Sequence, residues 1–461
     1  MYRLQEHAIV MSSMNVLLLT TLIILTYLSS NTHATKILLV PGNLDSHIML
    51  FCRLGIDLAK LGNMATVIAP SNARVPDFVT HDTVDNFTYV KYPVDEATWF
   101  PNSTEVSEML IKTAKITSPL QTMRMMASGN TDVIRNGEKD CVRLLDNVEL
   151  MRHVRETGYD FAIMDIFGAI ACYYTIPYSL GIPYATMSLD LSSARLFRVP
   201  RISSFPNIFS LRDQPSFFDR LTAFIIGTLD YGVISDNRHY MEKYAPNRPY
   251  LNTVKLFQRQ SLWFFVEDLS VHYPLPQMPN TIAVGDIMVG AKVRPLSGDI
   301  KEFVSRSKQG VIVVAFGSFW GAFLPLAIAQ RFCEAFTKAT ERFGLSVIWN
   351  FNGELSCPSD DILMSPWIPQ KDLLADPRIK MFVSHGGFKS VMEAVYHAKP
   401  LLIFPIGDDQ PAYAAAGESK GYAIQMKILD FSAESLVSNI HKLLTDPTYK
   451  RNANLAFALR L

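Results

Sequence analysis

An excess of charge of either sign is missing from this sequence. Its 461 residues include 43 Lys and Arg against 43 Asp and Glu, so the chain lacks the net positive field that draws proteins to nucleic acids. Internal repeats and low-complexity tracts are missing as well. Because 49% of the residues are hydrophobic, the chain can bury about two or three cores. We expect a globular protein without a nucleic-acid partner.

Cysteine is scarce, and its spacing argues against two common uses. No C-x-x-C pair or zinc-type spacing occurs, and a chain with this much apolar core does not need a disulfide scaffold. We expect most cysteines to be small buried residues. Because the number is odd, at least one thiol stays free if the others pair. The five are Cys52, Cys141, Cys172, Cys333 and Cys357.

The apolar run near the N-terminus is short for a membrane span. It covers residues 16–28, follows a basic residue and leads to a small-residue exit at Ala34. This pattern is typical of a secretory signal peptide over residues 1–34, and a retained membrane anchor is the alternative. N-glycosylation sequons at Asn86 and Asn102 fit the same route. We expect the endoplasmic reticulum lumen or another part of the secretory pathway.

A dinucleotide fingerprint is also absent, although the first half alternates between strands and helices. No G-x-G-x-x-G follows the apolar strand at residues 36–40, which argues against a Rossmann oxidoreductase. A helix predicted over 47–60 leads to a strand at 65–69, and this order makes a parallel βαβ unit. The strand at 161–164 ends in Asp165 and continues the α/β pattern.

Residues 203–265 are irregular and rich in aromatic side chains. The simpler interpretation is an all-helical cap over the sheet; the alternative is that part of it lines an apolar acceptor pocket or touches a membrane surface. Residues 289–298 indicate a linker, after which a second α/β series begins. We predict two Rossmann-like α/β domains, 35–286 and 287–461, that face a cleft at the carboxyl ends of their strands.

The densest group of chemically active residues lies in the segment 367–410. His385 ends an apolar strand there, and Gly386 and Gly387 let the backbone turn closely into a helix that begins near Lys389. The N–H groups at the start of a helix have no partners within the helix and favour negative charge. Beside a histidine, they form a ready site for a diphosphate.

Five further side chains of this segment suit the rest of a nucleotide sugar. Ser390 and Glu393 are three residues apart and share one helix face, where a carboxylate can accept both hydroxyls of a ribose. Trp367 offers a flat face to a nucleobase. Asp409 and Gln410 follow the next strand and can form hydrogen bonds with sugar hydroxyls. The segment therefore predicts a nucleotide-sugar site.

The order and spacing of these residues resemble the signature of the UDP-glycosyltransferases, the inverting family that includes UDP-glucuronosyltransferases and UDP-glucosyltransferases. The matching elements are W-x-P-Q, D-L-L, H-G-G, S-x-x-E-A, P and D-Q, and the likeness extends over nearly the whole chain. The resemblance implies a GT-B fold. It also implies transfer of a hexosyl group from a UDP-sugar to a hydroxyl of a small lipophilic acceptor, without a metal or another cofactor.

The resemblance implies roles for individual residues. It implies a catalytic histidine at His47, after the first strand, with Asp165 as its carboxylate partner. An imidazole can take the proton of an acceptor hydroxyl, and a carboxylate on its far nitrogen fixes the tautomer. The implied UDP-sugar site comprises Trp367 and Gln370 for the uracil, Glu393 for the ribose, Ser318, His385, Gly386, Gly387 and Ser390 for the diphosphate, and Asp409 and Gln410 for the sugar.

Structural alternatives remain for these assignments. His47 is alternatively a cap or a solvated loop residue, and Asp165 an N-cap for the next helix. Paired carboxylates at 360–361 and 408–409 lack a third ligand for a metal. Lys389 and Tyr413 stand where the family commonly has Asn, which leaves the identity of the sugar open. The alternative function is a non-catalytic relative that binds a UDP-sugar or a lipophile.

The end of the sequence also departs from the family. Animal members commonly continue with a helix that packs on the N-terminal domain and with a membrane-spanning segment, whereas this sequence ends at Leu461. We expect a lumenal protein that is membrane-anchored only if such a segment is missing from this chain.

Overall fold

The computed structural model describes most of both α/β regions. The predicted signal peptide up to residue 33, Asn102 and Ser318 lie outside the described residues, as does most of the aromatic segment 203–265. The described residues are 34–42, 45–73, 75–76, 78–79, 84–94, 108, 111, 114–115, 131–165, 170–188, 217, 237–266, 268, 270–272, 279–285, 287, 293–317, 321, 324–407 and 409–459.

A seven-stranded sheet forms the N-terminal lobe. Its strands are β1 (Lys36–Val40), β2 (Met64–Pro70), β3 (Phe87–Tyr92), β4 (Phe161–Asp165), β5 (Tyr184–Ser188), β6 (Leu262–Phe265) and β7 (Thr281–Ala283). They lie in the order β3-β2-β1-β4-β5-β6-β7, and every pairing is parallel. All residues of β4, β5 and β6 are buried, as expected for short apolar strands that are covered on both faces.

Helices of the N-terminal lobe connect these strands and bury their apolar sides. Among the described residues they are α1 (Asp45–Lys60), α2 (Thr131–Asp146), α3 (Val148–Thr157), α4 (Ile170–Tyr173), α5 (Thr175–Leu180), α6 (Arg238–Tyr244) and α7 (Thr253–Gln258). Local signals set the ends of α3. The Asn147 side chain accepts a hydrogen bond from the N–H of Leu150, and Gly158 closes the helix in the left-handed conformation.

A six-stranded parallel sheet forms the C-terminal lobe, in the order β10-β9-β8-β11-β12-β13. Its strands are β8 (Val311–Ala315), β9 (Ser346–Asn350), β10 (Ile362–Ser365), β11 (Ile379–Ser384), β12 (Leu401–Ile403) and β13 (Ala423–Gln425). Its described helices are α8 (Gly298–Arg306), α9 (Leu326–Phe343), α10 (Gln370–Ala375), α11 (Phe388–Tyr396), α12 (Gln410–Ser419), α13 (Ala433–Thr445) and α14 (Pro447–Ala458).

The two lobes pack against each other through apolar side chains. One continuous buried cluster includes Ile37 and Val271 from the N-terminal lobe together with Val313, Phe388 and Tyr413 from the C-terminal lobe. The two parallel sheets confirm the prediction of two parallel α/β units. The predicted domain boundary at 286–287 falls between β7 and α8.

The prediction of an all-helical cap over 203–265 is wrong at its end. Residues 262–265 form β6, a buried strand that lies between β5 and the edge strand β7 in the first sheet. The run Trp263-Phe264-Phe265 is entirely aromatic, and periodicity does not separate a short buried strand from a helix. The described helices α6 and α7 agree with the helical part of that prediction. The idea of an acceptor pocket or membrane contact in this segment stays a prediction.

The expectation that most cysteines are buried is confirmed, since Cys52, Cys141, Cys172 and Cys333 are at most 5% exposed, but disulfides that were not expected are present. Cys141 pairs with Cys172 and Cys333 pairs with Cys357, which leaves Cys52 as a buried free thiol. Each bond joins elements that are close only in the folded chain, so sequence spacing did not reveal it. Within the described part of the chain, no helix combines the length and the apolar character that a membrane crossing needs.

Candidate active site

The first group of predicted site residues lies at the carboxyl end of the N-terminal sheet. β1 and β4 are neighbours in parallel register, so the residue that ends β4 meets the segment that follows β1. His47 lies in the first turn of α1 and is 7% exposed, whereas Asp165 ends β4 and is 2% exposed. Nδ1 of His47 lies 2.7 Å from Oδ2 of Asp165.

This hydrogen bond determines which ring nitrogen of a neutral His47 carries the proton. An ionised carboxylate only accepts hydrogen bonds, so Nδ1–H donates to Asp165 and the lone pair of the ring lies on Nε2. The backbone N–H of Gly42 donates to the same carboxylate oxygen at 2.8 Å. A buried, bonded His47 does not fit the alternative of a solvated loop residue, and the pair can accept a proton at Nε2.

The second group lies at the carboxyl end of the C-terminal sheet, with His385 directly after β11. A Cβ added to Gly387 would lie 2.5 Å from Nε2 of His385, and one added to Gly317 would lie 2.9 Å away. Gly317 also has φ of 77°, which disfavours other residues. Two glycines therefore make room for the imidazole ring.

His385 is neutral near pH 7 in this structure. Burial lowers its pKa to about 4, and a hydrogen bond to the carbonyl of Ala315 opposes this shift only in part. This protonation state bears on the predicted contact between His385 and the diphosphate. Before a ligand binds, His385 offers a hydrogen-bond donor rather than a positive charge.

The start of α11 supplies further donors beside His385. Gly387 is its N-cap, and no side chain caps the helix there, so its first N–H groups point away from the helix without partners within it. Ser390 is 6% exposed and lies in the first turn. Lys389, between them, adds a cation to a helix end that already favours anions.

Glu393 is buried one turn further along α11 and is held by its neighbours. It is 4% exposed, and Nε2 of Gln370 donates to its Oε2 at 2.6 Å. The same amide nitrogen lies 3.4 Å from Oγ of Ser390, and Nζ of Lys389 lies 3.9 Å from Oε1 of Glu393. The structure thus brings Gln370, Ser390 and Glu393 together, and Gln370 contacts the carboxylate predicted for the ribose.

Trp367 follows β10 at the same edge of the sheet, and its side chain is largely open to solvent. The residue is 56% exposed, although large aromatic side chains are usually buried. The backbone around it is held by Ser365, whose hydroxyl donates to the carbonyl of Trp367 at 2.7 Å. A fixed backbone below an exposed indole suits stacking on a planar ligand.

The loop after β12 carries Asp409 and Gln410. Gln410 is 3% exposed, and its side-chain oxygen accepts hydrogen bonds from the N–H groups of Ile406 and Gly407 at 2.8 and 3.2 Å. The buried side chain of Gln410 therefore holds the backbone of this loop in place. Asp409 is half-buried at the start of α12. A Cβ on Gly386 would lie 3.4 Å from the carbonyl oxygen of Gln410, so the loops after β11 and β12 touch.

The two groups of residues approach each other where α1 meets α11. Nζ of Lys389 lies 4.0 Å from Sδ of Met49, two residues after His47. Burial lowers the pKa of Lys371 in α10. Asp372 and Glu393 oppose this shift, and the positive charges of Arg53 in α1 and of Lys389 add to it. Arg53 of the N-terminal lobe is thus close enough to Lys371 of the C-terminal lobe for their charges to interact.

Sequence patterns did not point to several of these contacts. Gly42, Met49 and Lys371 were not predicted, because each acts through a neighbour from a distant part of the chain. Only the turn signal Pro41-Gly42 at the end of β1 offered a hint of the Gly42 contact. Among the described residues, no three His, Cys, Asp or Glu side chains are grouped as they would be around a metal.

Comparison with known proteins identifies the family. A family model described as UDP-glucoronosyl and UDP-glucosyl transferase matches residues 35–459. UDP-glucuronosyltransferase 2A3 of Cavia porcellus is 24% identical over 431 residues, which are 91% of this chain and 79% of that protein. The 2-hydroxyacylsphingosine 1-beta-galactosyltransferase of Rattus norvegicus is 25% identical over 435 residues, which are 91% of this chain and 75% of that protein.

Solved structures share the fold. UGT2 of Phytolacca americana, complexed with UDP-2fluoro-glucose and pterostilbene, has a TM-score of 0.59 at 14% identity, over 93% of this chain and 95% of that one. The glycosyltransferase VinC, in complex with dTDP, has a TM-score of 0.59 at 16% identity, over 92% and 94%. The architecture is therefore of the GT-B type. From the family match over almost its whole length, the chain belongs to the UDP-glucoronosyl and UDP-glucosyl transferase family and is a UDP-glycosyltransferase.

Proposed function

We propose that this UDP-glycosyltransferase transfers a hexosyl group to a hydroxyl of a small lipophilic acceptor, with inversion at the anomeric carbon. The observation that carries the proposal is the buried hydrogen bond of 2.7 Å between His47 and Asp165. A hydroxyl is a poor nucleophile, so transfer needs a base close to the acceptor. The proposed base is Nε2 of His47, and Asp165 stabilises the imidazolium that forms.

The donor contacts proposed for the C-terminal lobe follow from the chemistry of its residues. Trp367 stacks on the uracil, and Glu393 accepts hydrogen bonds from the ribose hydroxyls while Gln370 holds the carboxylate at 2.6 Å. His385, Ser390 and the first N–H groups of α11 donate to the diphosphate. Ser318, outside the described residues, is proposed as a further diphosphate donor. Asp409 and Gln410 are proposed for the transferred sugar.

The same donor groups stabilise the charge that develops as UDP leaves. Fixed N–H groups and a neutral His385 need no rearrangement at that moment, and Lys389 supplies a positive charge. We therefore propose that transfer requires neither a metal nor another cofactor. Transfer should persist undiminished after incubation with EDTA and removal of divalent cations, and its complete loss under those conditions would reject this part of the proposal.

Inversion is supported by the fact that the proposed base and the proposed diphosphate donors belong to different lobes. His47 approaches from the N-terminal lobe, while the diphosphate donors belong to the C-terminal lobe, and Lys389 and Met49 lie in contact where the lobes meet. Attack from one side with departure toward the other converts an α-linked donor into a β-linked product. The coupling constant of the anomeric proton in the product distinguishes the two outcomes.

A lipophilic acceptor is supported by what related proteins use. The rat relative is named for a 2-hydroxyacylsphingosine acceptor, and the Phytolacca americana structure contains pterostilbene. Both molecules carry a hydroxyl on a large apolar body. The alternative of a non-catalytic binding relative is not favoured, because the buried pair that proton transfer requires is intact in this chain.

We propose the endoplasmic reticulum lumen or the secretory pathway as the location. The pairing of four cysteines supports an oxidising compartment, and the sequon residue Asn86 is exposed before β3. Digestion of the cell-expressed protein with an N-glycosidase should lower its apparent mass. An unglycosylated protein with four reduced cysteines would contradict the proposed location.

The experiment that tests the function combines a donor panel with a base variant. UDP release is measured with UDP-glucose, UDP-glucuronate, UDP-galactose and UDP-N-acetylglucosamine, with and without phenol and sterol acceptors. For the accepted donor, His47→Ala should lower kcat by about 10²- to 10⁴-fold. Its Kd for UDP should stay within about threefold of the wild type, because His47 lies in the other lobe.

A matched control separates chemistry from general damage. His153→Ala removes an exposed histidine of α3 in the same lobe and should leave kcat unchanged. Equal transfer by the wild type and His47→Ala would reject the proposed base. Tight UDP binding without any acceptor-dependent release of UDP would favour the non-catalytic alternative.

A further inference from the structure

A short buried turn of the N-terminal lobe inserts between two helices of the C-terminal lobe. The inter-lobe turn, residues 268 and 270–272, follows β6. The side chain of Asp268 accepts a hydrogen bond from the N–H of Ser270 at 2.7 Å, and its carbonyl accepts from the N–H groups of Val271 and His272. Asp268, Ser270 and Val271 are 2%, 1% and 0% exposed. The turn is therefore closed by its own hydrogen bonds and enclosed by protein.

His272 at the end of this turn contacts both helices that begin at the proposed donor site. Its Nε2 lies 3.0 Å from the hydroxyl of Tyr413 in α12, and the two rings meet edge to face at 5.0 Å. The His272 ring also lies 5.7 Å from the ring of Phe388, the first residue of α11. Phe388 and Tyr413 in turn lie 5.5 Å apart. One side chain thus contacts α11 and α12 together.

Tyr422 of the C-terminal lobe makes a second contact with the inter-lobe turn. The hydroxyl of Tyr422, which is 0% exposed, donates to the carbonyl of Ser270 at 3.3 Å. Val271 packs in the apolar cluster that contains Tyr413 and Tyr422. The inter-lobe turn is therefore held by polar and apolar contacts at once, and a shift of one lobe would disturb all of them.

These contacts lie next to the residues that the proposed reaction uses. Phe388 is followed by Lys389 and Ser390, and Tyr413 lies one turn after Asp409 and Gln410 in the chain. The loops at the starts of α11 and α12 would bind the diphosphate and the sugar, whereas His47 belongs to the lobe that carries His272. A rigid connection between these elements sets the distance between the base and the anomeric carbon.

We infer that His272 is a positioning residue for sugar transfer, which through Tyr413 and Phe388 holds the donor-binding loops in register with the base of the other lobe. The inference rests on the proposed function. His272 does not touch the reacting atoms, so its loss should alter alignment rather than donor binding. A misplacement of about 1 Å in a reacting pair lowers the rate by up to about 100-fold.

The test compares His272→Ala, Tyr413→Phe and the double variant. We expect each single variant to lower kcat by about tenfold or more, while Kd for UDP measured by calorimetry stays within about threefold. Because both substitutions remove the same hydrogen bond, the double variant should be no slower than the slower single variant. His272→Gln, whose amide reaches a position similar to Nε2, should recover most of the lost rate.

Tyr178→Phe is the matched control. It removes another tyrosine hydroxyl of the N-terminal lobe, which donates to the carbonyl of Pro249 at 2.8 Å, away from α11 and α12. Its kcat should equal that of the wild type. Wild-type kcat in both single variants, losses that add in the double variant, or a loss confined to UDP affinity would overturn the inference.

Hydrogen exchange gives a readout that does not depend on activity. Peptides that cover α11 and the first turn of α12 should exchange faster in His272→Ala than in the wild type, and at the wild-type rate in Tyr178→Phe. If the wild type transfers no sugar, the proposed function fails while exchange still tests the connection. Unchanged exchange in His272→Ala would reject the connection even in an active enzyme.

Discussion

Replacement of Asp165 by Asn is the most direct perturbation of the proposed base. The two side chains have nearly the same shape, but the N–H of Gly42 and Nδ1 of His47 both bond to the same oxygen, Oδ2, at 2.8 and 2.7 Å. If the amide oxygen takes this position, both hydrogen bonds remain but the negative charge is lost. If the amide nitrogen takes it, the nitrogen donates to Nδ1 of His47 and the hydrogen bond from Gly42 is lost. The second orientation moves the ring proton to Nε2, the nitrogen that must accept the proton of the acceptor hydroxyl.

The structure allows the size of the effect to be worked out. The carboxylate is 2% exposed and lies 2.7 Å from Nδ1, and a buried hydrogen bond to a charged group contributes about 1.5–3 kcal/mol. Loss of this stabilisation from the imidazolium lowers the rate by about 10- to 100-fold. The orientation with the wrong tautomer lowers it further, so we expect kcat of Asp165→Asn to fall by at least about 10-fold and by up to about 10⁴-fold.

The assay measures kcat with saturating donor and acceptor, together with Kd for UDP by calorimetry. Kd should stay within about threefold, because Asp165 lies in the lobe that does not bind UDP in the proposed mechanism. Asp160→Asn is the matched control, since Asp160 accepts the backbone N–H of Lys36 at 2.8 Å at the opposite end of the same strand. A kcat for Asp165→Asn close to that of Asp160→Asn would refute the proposed role of the dyad.

Two further predictions concern the C-terminal lobe. Glu393→Gln should raise Kd for UDP by about tenfold or more through loss of a charged acceptor. Glu302→Gln, at an exposed position, is the control and should leave Kd unchanged in the same titration. Equal Kd values for the two variants would reject the ribose contact. Burial lowers the pKa of Lys399 from 10.5 to about 8, although its Nζ donates to the carbonyls of Asp376 and Ile379. Between pH 8 and 10.5 the unfolded chain therefore binds more protons than the folded chain. The free energy of unfolding of the wild type should consequently rise with pH in this window. Relative to Lys399→Met, the rise should be at most about 3 kcal/mol. Urea unfolding at several pH values measures this difference, and parallel pH profiles would contradict it.

The alternation of apolar segments was sufficient to predict the strands that carry the site. Four strands were predicted to begin at Lys36, Phe161, Val311 and Met381. These positions are close to the observed starts of β1, β4, β8 and β11. Their short, fully buried runs produce a parallel sheet wherever helices alternate with them. The strand β6 escaped prediction because its aromatic run Trp263-Phe264-Phe265 lies within a segment whose irregular pattern indicated a helical cap.

The chemical identity of the donor-site residues was likewise contained in local spacing. The H-G-G turn before α11 and the spacing of Ser390 and Glu393 on one helix face are properties of consecutive residues. Their environments were not predictable in this way. The low pKa of His385 follows from burial, and the hydrogen bond between Gln370 and Glu393 joins residues 23 positions apart.

The sequence by itself determined two parallel α/β units and the residue types available at the carboxyl ends of their strands, because both depend on local hydrophobic patterns and turns. Only the tertiary structure decided which of these residues meet. His47 and Asp165 are 118 positions apart, and His272 and Tyr413 are 141 positions apart. Such pairs form because strand order and lobe packing bring distant segments together, and no local pattern records that geometry.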